Sequence, residues 1–189
     1  GKPFQNYTLP FPDSKLFNNS KVTSFAQDID GEYWIGTFGM GIFKFNRTEH
    51  TFQHIRINPD YGPLTTSPDF ISKLFVDSQN ILWVGTMYNG GLYRYNRSSL
   101  TFRVYRKHFK PQHTTVNDDH INDICEDINS DLWLSTRSEG LNRYVRKTGR
   151  FQFFHHTPGD SENLSSDKTG ALETDQQGNI WIASRSGML

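Results

Sequence analysis

This chain has little cysteine, no excess of charge and no long apolar run. The single cysteine among 189 residues, Cys125, excludes an internal disulfide and any zinc site built from paired cysteines. It lies between Ile124 and Glu126 in a strand-like stretch and reads as a small buried hydrophobe. Twenty basic and twenty acidic residues cancel. No global field therefore draws nucleic acid or an anionic membrane, and no nucleic-acid partner is expected. The patterns HExxH, CxxC, P-loop and GxSxG are absent, as is a GxGxxG opening a helix. No catalytic residue, metal ion or cofactor is expected on that reading. No apolar run has membrane-spanning length and no signal peptide opens the chain. Helical periodicity is missing too, since no long window keeps a 3.6-residue repeat free of Gly, Pro or turn clusters. Seven histidines are scattered. His155 and His156 are adjacent, so on an extended chain they point to opposite sides and chelate poorly. His108, His113 and His120 lie in or beside one long connection, with nothing to fix their geometry.

What is present is a repeat. The four tryptophans, Trp34, Trp83, Trp133 and Trp181, are spaced by 49, 50 and 48 residues. Each follows an aspartate by six positions: Asp28, Asp77, Asp127 and Asp175. The copies read DIDGEYWIGT, DSQNILWVGT, DINSDLWLST and DQQGNIWIAS. A period near 49 signals a repeat architecture. Each unit reads as four short strands. The first is Val22 to Ala26, Ile71 to Val76, Ile121 to Glu126 and Ala171 to Thr174, and the second surrounds the tryptophan. Between them, Gly31, Asn80, Ser130 and Gly178 occupy a hairpin position that needs positive φ, where serine is the poorest fit. The aspartates read as turn formers that accept backbone amides, rather than as acids or metal ligands.

The third strand follows a glycine turn: GIFKFN, GLYRYN and GLNRYV. The fourth carries a phased aromatic, Phe52, Phe102 or Phe151. Lys44, Arg94 and Arg143 alternate with aromatics and read as a solvated strand face. Asn46 and Asn96 close third strands. Their sequon contexts, like that of Asn163, are read as incidental to the repeat rather than as sugar sites. Four antiparallel strands per unit predict an all-β chain of β-propeller blades, about four repeats.

The predicted organisation is a single propeller segment over 1–189. Residues 4–7 (Phe4 to Tyr7) match the fourth strand and would be the outer strand of a preceding blade. Blades follow at 22–57, 71–106 and 121–156, and 170–189 would be the first half of another. Either the N-terminal strand completes that last blade in a closed four-bladed ring, or the chain is a piece of a longer propeller. The second reading is preferred. An open arc would leave apolar blade faces and strand edges uncovered, so self-association through them is expected.

The loops vary where the strands do not. Four residues after each tryptophan stand Phe38, Met87, Arg137 and Arg185, with Tyr88, Asn89, Ser138, Glu139 and Ser186 beside them. In a propeller these second-to-third-strand loops share a face with the blade-to-blade connections 58–70, 107–120 and 155–168. Arginine forks suit carboxylate, sulfate or phosphate, and aromatic and amide groups suit sugar rings. Arg137, Arg185, Tyr88, Asn89, Glu139 and Phe38 are the candidate ligand-binding residues. Ordinary loop variation is the competing explanation.

DIDGEYWIGT with GIFKFN, DSQNILWVGT with GGLYRYN, and the connector HHTPGDSENLSSD resemble the two-component regulator propeller repeat, over residues 4 to 189. DINSDLWLST, where serines replace the turn and strand glycines, and DQQGNIWIAS depart from it. The resemblance implies a fragment of a larger, seven-bladed propeller. It further implies a periplasmic, non-catalytic sensor segment of a bacterial inner-membrane receptor, with an oligosaccharide or other small ligand. The remaining blades and a histidine kinase, diguanylate cyclase or other output domain would lie elsewhere in the parent protein. A protein-interaction propeller, and a propeller enzyme such as a lyase or dehydrogenase, are the alternatives.

Overall fold

The computed structural model describes residues 4–10, 21–57, 69–88, 90–107, 113–185 and 187–188. Residues 1–3, 11–20, 58–68, 108–112, Asn89, Ser186 and Leu189 lie outside the described residues. Fifteen strands form four antiparallel sheets among those described. The first blade is β1 (Val22–Gln27), β2 (Tyr33–Thr37), β3 (Ile42–Asn46) and β4 (Thr51–Ile55). The second is β5 (Ile71–Val76), β6 (Leu82–Thr86), β7 (Leu92–Asn96) and β8 (Thr101–Tyr105). The third is β9 (Ile121–Glu126), β10 (Leu132–Thr136), β11 (Leu141–Val145) and β12 (Arg150–Phe154). The fourth has β13 (Thr169–Thr174), β14 (Ile180–Ser184) and β15 (Gly187–Met188). Within each sheet the strands pair in chain order, and the first strands of consecutive blades lie side by side. These are propeller blades, with the first strands innermost.

The aspartate–tryptophan spacing has a physical cause. In each blade one carboxylate oxygen caps the hairpin. Asp77 Oδ1 accepts the amides of Gln79 and Ile81 at 3.0 and 2.8 Å. The other oxygen accepts the indole N–H across the turn, at 2.9 Å for Asp28–Trp34, 2.7 Å for Asp77–Trp83 and 2.9 Å for the remaining two pairs. Six residues is the separation at which one side chain closes the turn and reaches the ring. The hairpin position is left-handed in all four copies, with φ of 80° at Gly31, 60° at Asn80, 63° at Ser130 and 85° at Gly178. Asn46 and Asn96 close the third-strand turns by accepting two amides each.

Blades pack through their broad faces. Trp34 and Ile42 of the first blade meet Ile71, Leu74, Leu82, Val84 and Tyr95 of the second. Trp83 repeats this against Ile121, Ile124, Leu132 and Tyr144 of the third. Gly36 makes room for the approach, since a Cβ there would stand 2.6 Å from Ile71 Cγ2. Where Ser135 replaces that glycine, its hydroxyl bonds the carbonyl of Gly170 in the next blade, and Thr169 stands where Ile71 does. The departure in DINSDLWLST is thus matched by its neighbour. Cys125 is buried opposite Trp133, and burial pushes its thiol up to about 11. Lys44, Arg94 and Arg143 lie over Trp34, Trp83 and Trp133 at 5.5–5.8 Å, so these cations cover the indoles rather than forming a patch.

Residues 4–10 form no strand here, unlike the expectation for Phe4 to Tyr7. An extended segment needs a partner edge, and Tyr7 instead packs edge-on against Phe45 at 4.8 Å. The first and fourth blades do not cover each other. Phe25 and Trp181, on their outer faces, are both exposed, which argues against a closed four-bladed ring.

Candidate functional site

The loops expected to form a binding face are held by a backbone frame that recurs in every blade. The residue after the second strand donates its amide to the residue before the first strand. The pairs are Phe38 to Lys21 (2.8 Å), Met87 to Phe70 (2.9 Å), Arg137 to His120 (3.2 Å) and Arg185 to Lys168 (3.1 Å). Glycines then donate to aspartate carbonyls in the connection: Gly41 to Asp69, Gly91 to Asp119 and Gly140 to Asp167. The loop hydroxyls Thr37, Thr86 and Thr136 close each turn on the glycine carbonyl. Backbone and these threonines carry the frame, with Asp118 and Thr169 adding bonds in the third blade. The side chains at 38, 87, 137 and 185 can therefore change without unmaking it.

Side chains of these loops and of the connections meet in a row. Phe38 and Phe70 meet edge to face at 4.8 Å, Phe70 and Tyr88 at 5.3 Å, and Tyr88 and His120 at 6.0 Å. Arg137 follows, its amide on the His120 carbonyl. Lys168 and Arg185, both exposed, hold the equivalent positions in the fourth blade, joined by the same backbone bond. Burial lowers the pKa of His120, and the Arg137 cation lowers it further against the opposing pull of Asp118. Asp118 is itself engaged by the His120 amide and by the amide and hydroxyl of Ser138. Tyr88 is 43% exposed and adopts φ of 51°, a conformation that costs a non-glycine residue about 1 kcal/mol or more. Such outliers concentrate at ligand sites.

The structure brings Phe38, Tyr88 and Arg137 into one row and leaves Arg185 in the fourth blade. Asn89 lies outside the described residues. Glu139 departs from the expected grouping. Its carboxylate pairs with Lys107 at 2.8 Å and lines a separate pocket of about 320 Å³ with His113, Asn117, Phe153 and His155. His113 there adds to the edge of β12 through Phe151 and stacks on Phe153 at 5.2 Å. That contact covers an otherwise open strand edge.

Two sets of residues escaped the sequence reading. One lies on the inner strands, where Ser24 and Asp123 accept the amides of Leu74 and Leu172 in the following blade, both at 2.9 Å. Lys73 occupies the same position in β5 and cannot accept. It pairs with Asp123 at 2.6 Å, while Asp123 also takes the Ile124 amide. A polar third residue in each of these inner strands was the available signal. The other set is the arginine after the third strand. Arg97 reaches back to Asp28 at 2.9 Å and Arg146 to Asp77 at 2.8 Å. Burial opposes ionisation of Asp28, but the Trp34 indole and Arg97 outweigh it and lower the pKa. Among the described residues no three His, Cys, Asp or Glu side chains are grouped to hold a metal ion.

The two component regulator propeller family model matches residues 16–39 and 66–88. Histidine kinase P4 of Formosa agariphila is 30% identical over 81 residues, which are 42% of this chain and 6% of that protein. The extracellular domain of the putative one component system BT4673 from B. thetaiotaomicron superposes with a TM-score of 0.73 at 22% identity, covering 93% of this chain and 22% of that one. That of the putative hybrid two component system BT3049 gives 0.69 at 23% identity, with 86% and 22% covered. Virginiamycin B lyase from Staphylococcus aureus gives 0.60 at 16% identity, with 89% and 54% covered. Similarity at this level carries the fold and no activity. The chain spans a small part of the kinase and of both extracellular domains.

Proposed function

We propose that this chain is a non-catalytic, ligand-sensing propeller segment on the extracytoplasmic side of a bacterial membrane receptor. The observation that carries the reading is the aromatic row of Phe38, Phe70 and Tyr88, which meets His120 with the Arg137 cation beside it. Such a surface suits a small ligand with a ring face and a carboxylate, sulfate or phosphate, an acidic oligosaccharide being the leading class. Arginine forks take the anion and aromatic rings take the sugar face. The repeat family and the extracellular domains of similar fold support the receptor setting, with kinase or cyclase output elsewhere in the parent protein. Binding would act by favouring one arrangement of the parent receptor over another.

Calorimetric titration with a uronate tetrasaccharide, and with a neutral tetrasaccharide of the same length, tests the reading. Binding of the uronate that weakens as salt rises is the expected result. Equal binding of both sugars, or of neither, would count against it.

A further inference from the structure

The second blade differs from its neighbours in where it places charge. One cross-strand row can be compared in three blades, because the register is the same. It runs Trp34, Lys44, Gln53 in the first blade, Trp83, Arg94, Arg103 in the second and Trp133, Arg143, Gln152 in the third. The cation beside the indole recurs, but the residue beyond it is a glutamine twice and an arginine once. The turn before the tryptophan changes as well. Ile81 holds the place of Glu32 in the first blade and of Asp131 in the third. Asp131 pairs with Arg143 at 2.9 Å, and Asp127 stands 3.6 Å from the same guanidinium. The second blade thus lacks a carboxylate and gains a second guanidinium in one place.

Like charges directly opposite on paired strands, about 5 Å apart at Cβ, repel. Arg94 lies over Trp83 at 5.8 Å and Arg103 over Tyr105 at 5.1 Å. Among the described residues neither guanidinium forms an ion pair or donates a hydrogen bond. Both line a hollow of about 490 Å³, which has no Asp or Glu among its described lining residues. Its amide side chains are Gln79, Asn80 and Asn96, and the protein already occupies the oxygen of each. Gln79 accepts Arg146 Nη1 at 3.0 Å, and Asn80 accepts the Ile29 amide at 3.2 Å and Arg97 Nη2 at 3.3 Å. Asn96 accepts the Ser98 and Ser99 amides. What these amides have left to offer is N–H. The lining therefore presents donors and positive charge, which is the chemistry that holds an anion.

We infer that this hollow binds a sulfate or phosphate group carried on a small polar molecule. Guanidinium groups on adjacent strands can share the oxygens of one tetrahedral anion, which turns a repulsive pair into a bridged one. At roughly 30 Å³ per water, the hollow also has room for the carrier, whose hydroxyls the amide N–H groups would meet. The site goes beyond the aromatic row and is separate from it. Residues 79–81 precede β6 and Tyr88 follows it, so the two lie toward opposite ends of that strand. Both broad faces of the second blade are packed by its neighbours in this chain, so the hollow is not an open blade face.

Calorimetric titration with a glucose sulfate monoester, a glucose phosphate monoester and glucose itself tests this. Arg103→Gln installs the residue of the other two blades at an exposed position, so an unchanged melting temperature is expected. Ile81→Asp restores the carboxylate that Arg143 has and keeps both arginines. Lys147→Gln, on an exposed third-blade turn, makes the same change of net charge as R103Q. Arg137→Ala removes the cation beside the aromatic row. One or both esters should bind and glucose should not, and the ester that binds identifies the group. R103Q and I81D should each weaken binding about tenfold or more, and K147Q and R137A should leave it unchanged. Failure of both esters to bind, equal binding of glucose, or wild-type affinity in R103Q or I81D would overturn the inference. So would an equal loss in K147Q, which would mean bulk charge, or a loss in R137A alone, which would move the anion to the aromatic row. The uronate reading of that row stands or falls separately, on its own arginine.

Discussion

Trp83 and Trp181 occupy the same position in the repeat, take the same hydrogen bond from their rings to an aspartate, and live in different environments. Trp83 is sealed by the third blade and Trp181 is open. The hairpin around each is the same, so local sequence suffices to make the turn. Burial is a gift of the neighbouring blade. Asp77 shows this most clearly, since it caps its own turn and also receives Arg146 from the next sheet, with Glu126 sharing the guanidinium. Asp175 caps its turn alone, and hydrogen bonds from Asn179 and Trp181 hold it down at about 2.

Breaking the buried member of that comparison should have the largest effect. Asp77→Ala removes one of the anionic partners of Arg146 and strands the Trp83 indole and two turn amides, and should cost about 3–5 kcal/mol in chemical denaturation. Trp83→Ala should cost a similar ~3–5 kcal/mol through the cavity it leaves. Trp181→Ala should cost clearly less in the same assay, because no second face covers it; equal losses would contradict the comparison. Gly36→Val sharpens it from the other side. The added atoms drive into Ile71 and should destabilise by about 1–3 kcal/mol.

The smallest effect concerns His120, whose pKa lies below the usual 6.5. The unfolded chain takes up its proton first, so the contribution is complete above the ordinary pKa and is lost as pH falls through it. Stability should therefore decline on mild acidification, and His120→Gln should flatten that decline. Arg137→Ala removes one of the two causes of the shift. An NMR titration should then show His120 moving back towards its ordinary pKa.

Most of the fold was legible because the same physical demand recurs in each unit. Four tryptophans in phase, a left-handed hairpin residue and alternating strands leave little choice of architecture. The inter-blade arginines were less legible. Arg97 and Arg146 follow the third strand by one residue, as Arg47 does, but their partners sit 69 residues away in the preceding blade. No local pattern announces such a pair. The loop row was half legible. Variation at 38, 87, 137 and 185 pointed to the loops, yet Phe70 and His120 belong to the connections and join the row only through the backbone frame. Glu139 is next to Ser138 in sequence, and it turns to Lys107 because that cation is near enough to pair.

The central claim is that a repeated backbone frame fixes the loops while the side chains on it are free to recognise a ligand. The double variant R137A/R185A tests it directly, measured for thermal stability and for uronate tetrasaccharide affinity on the same sample. The account expects an unchanged melting temperature and a tenfold or greater loss of affinity, about 1.4 kcal/mol or more. Unchanged affinity would contradict the assignment of the site, and a collapse of stability would contradict the independence of the frame from these side chains.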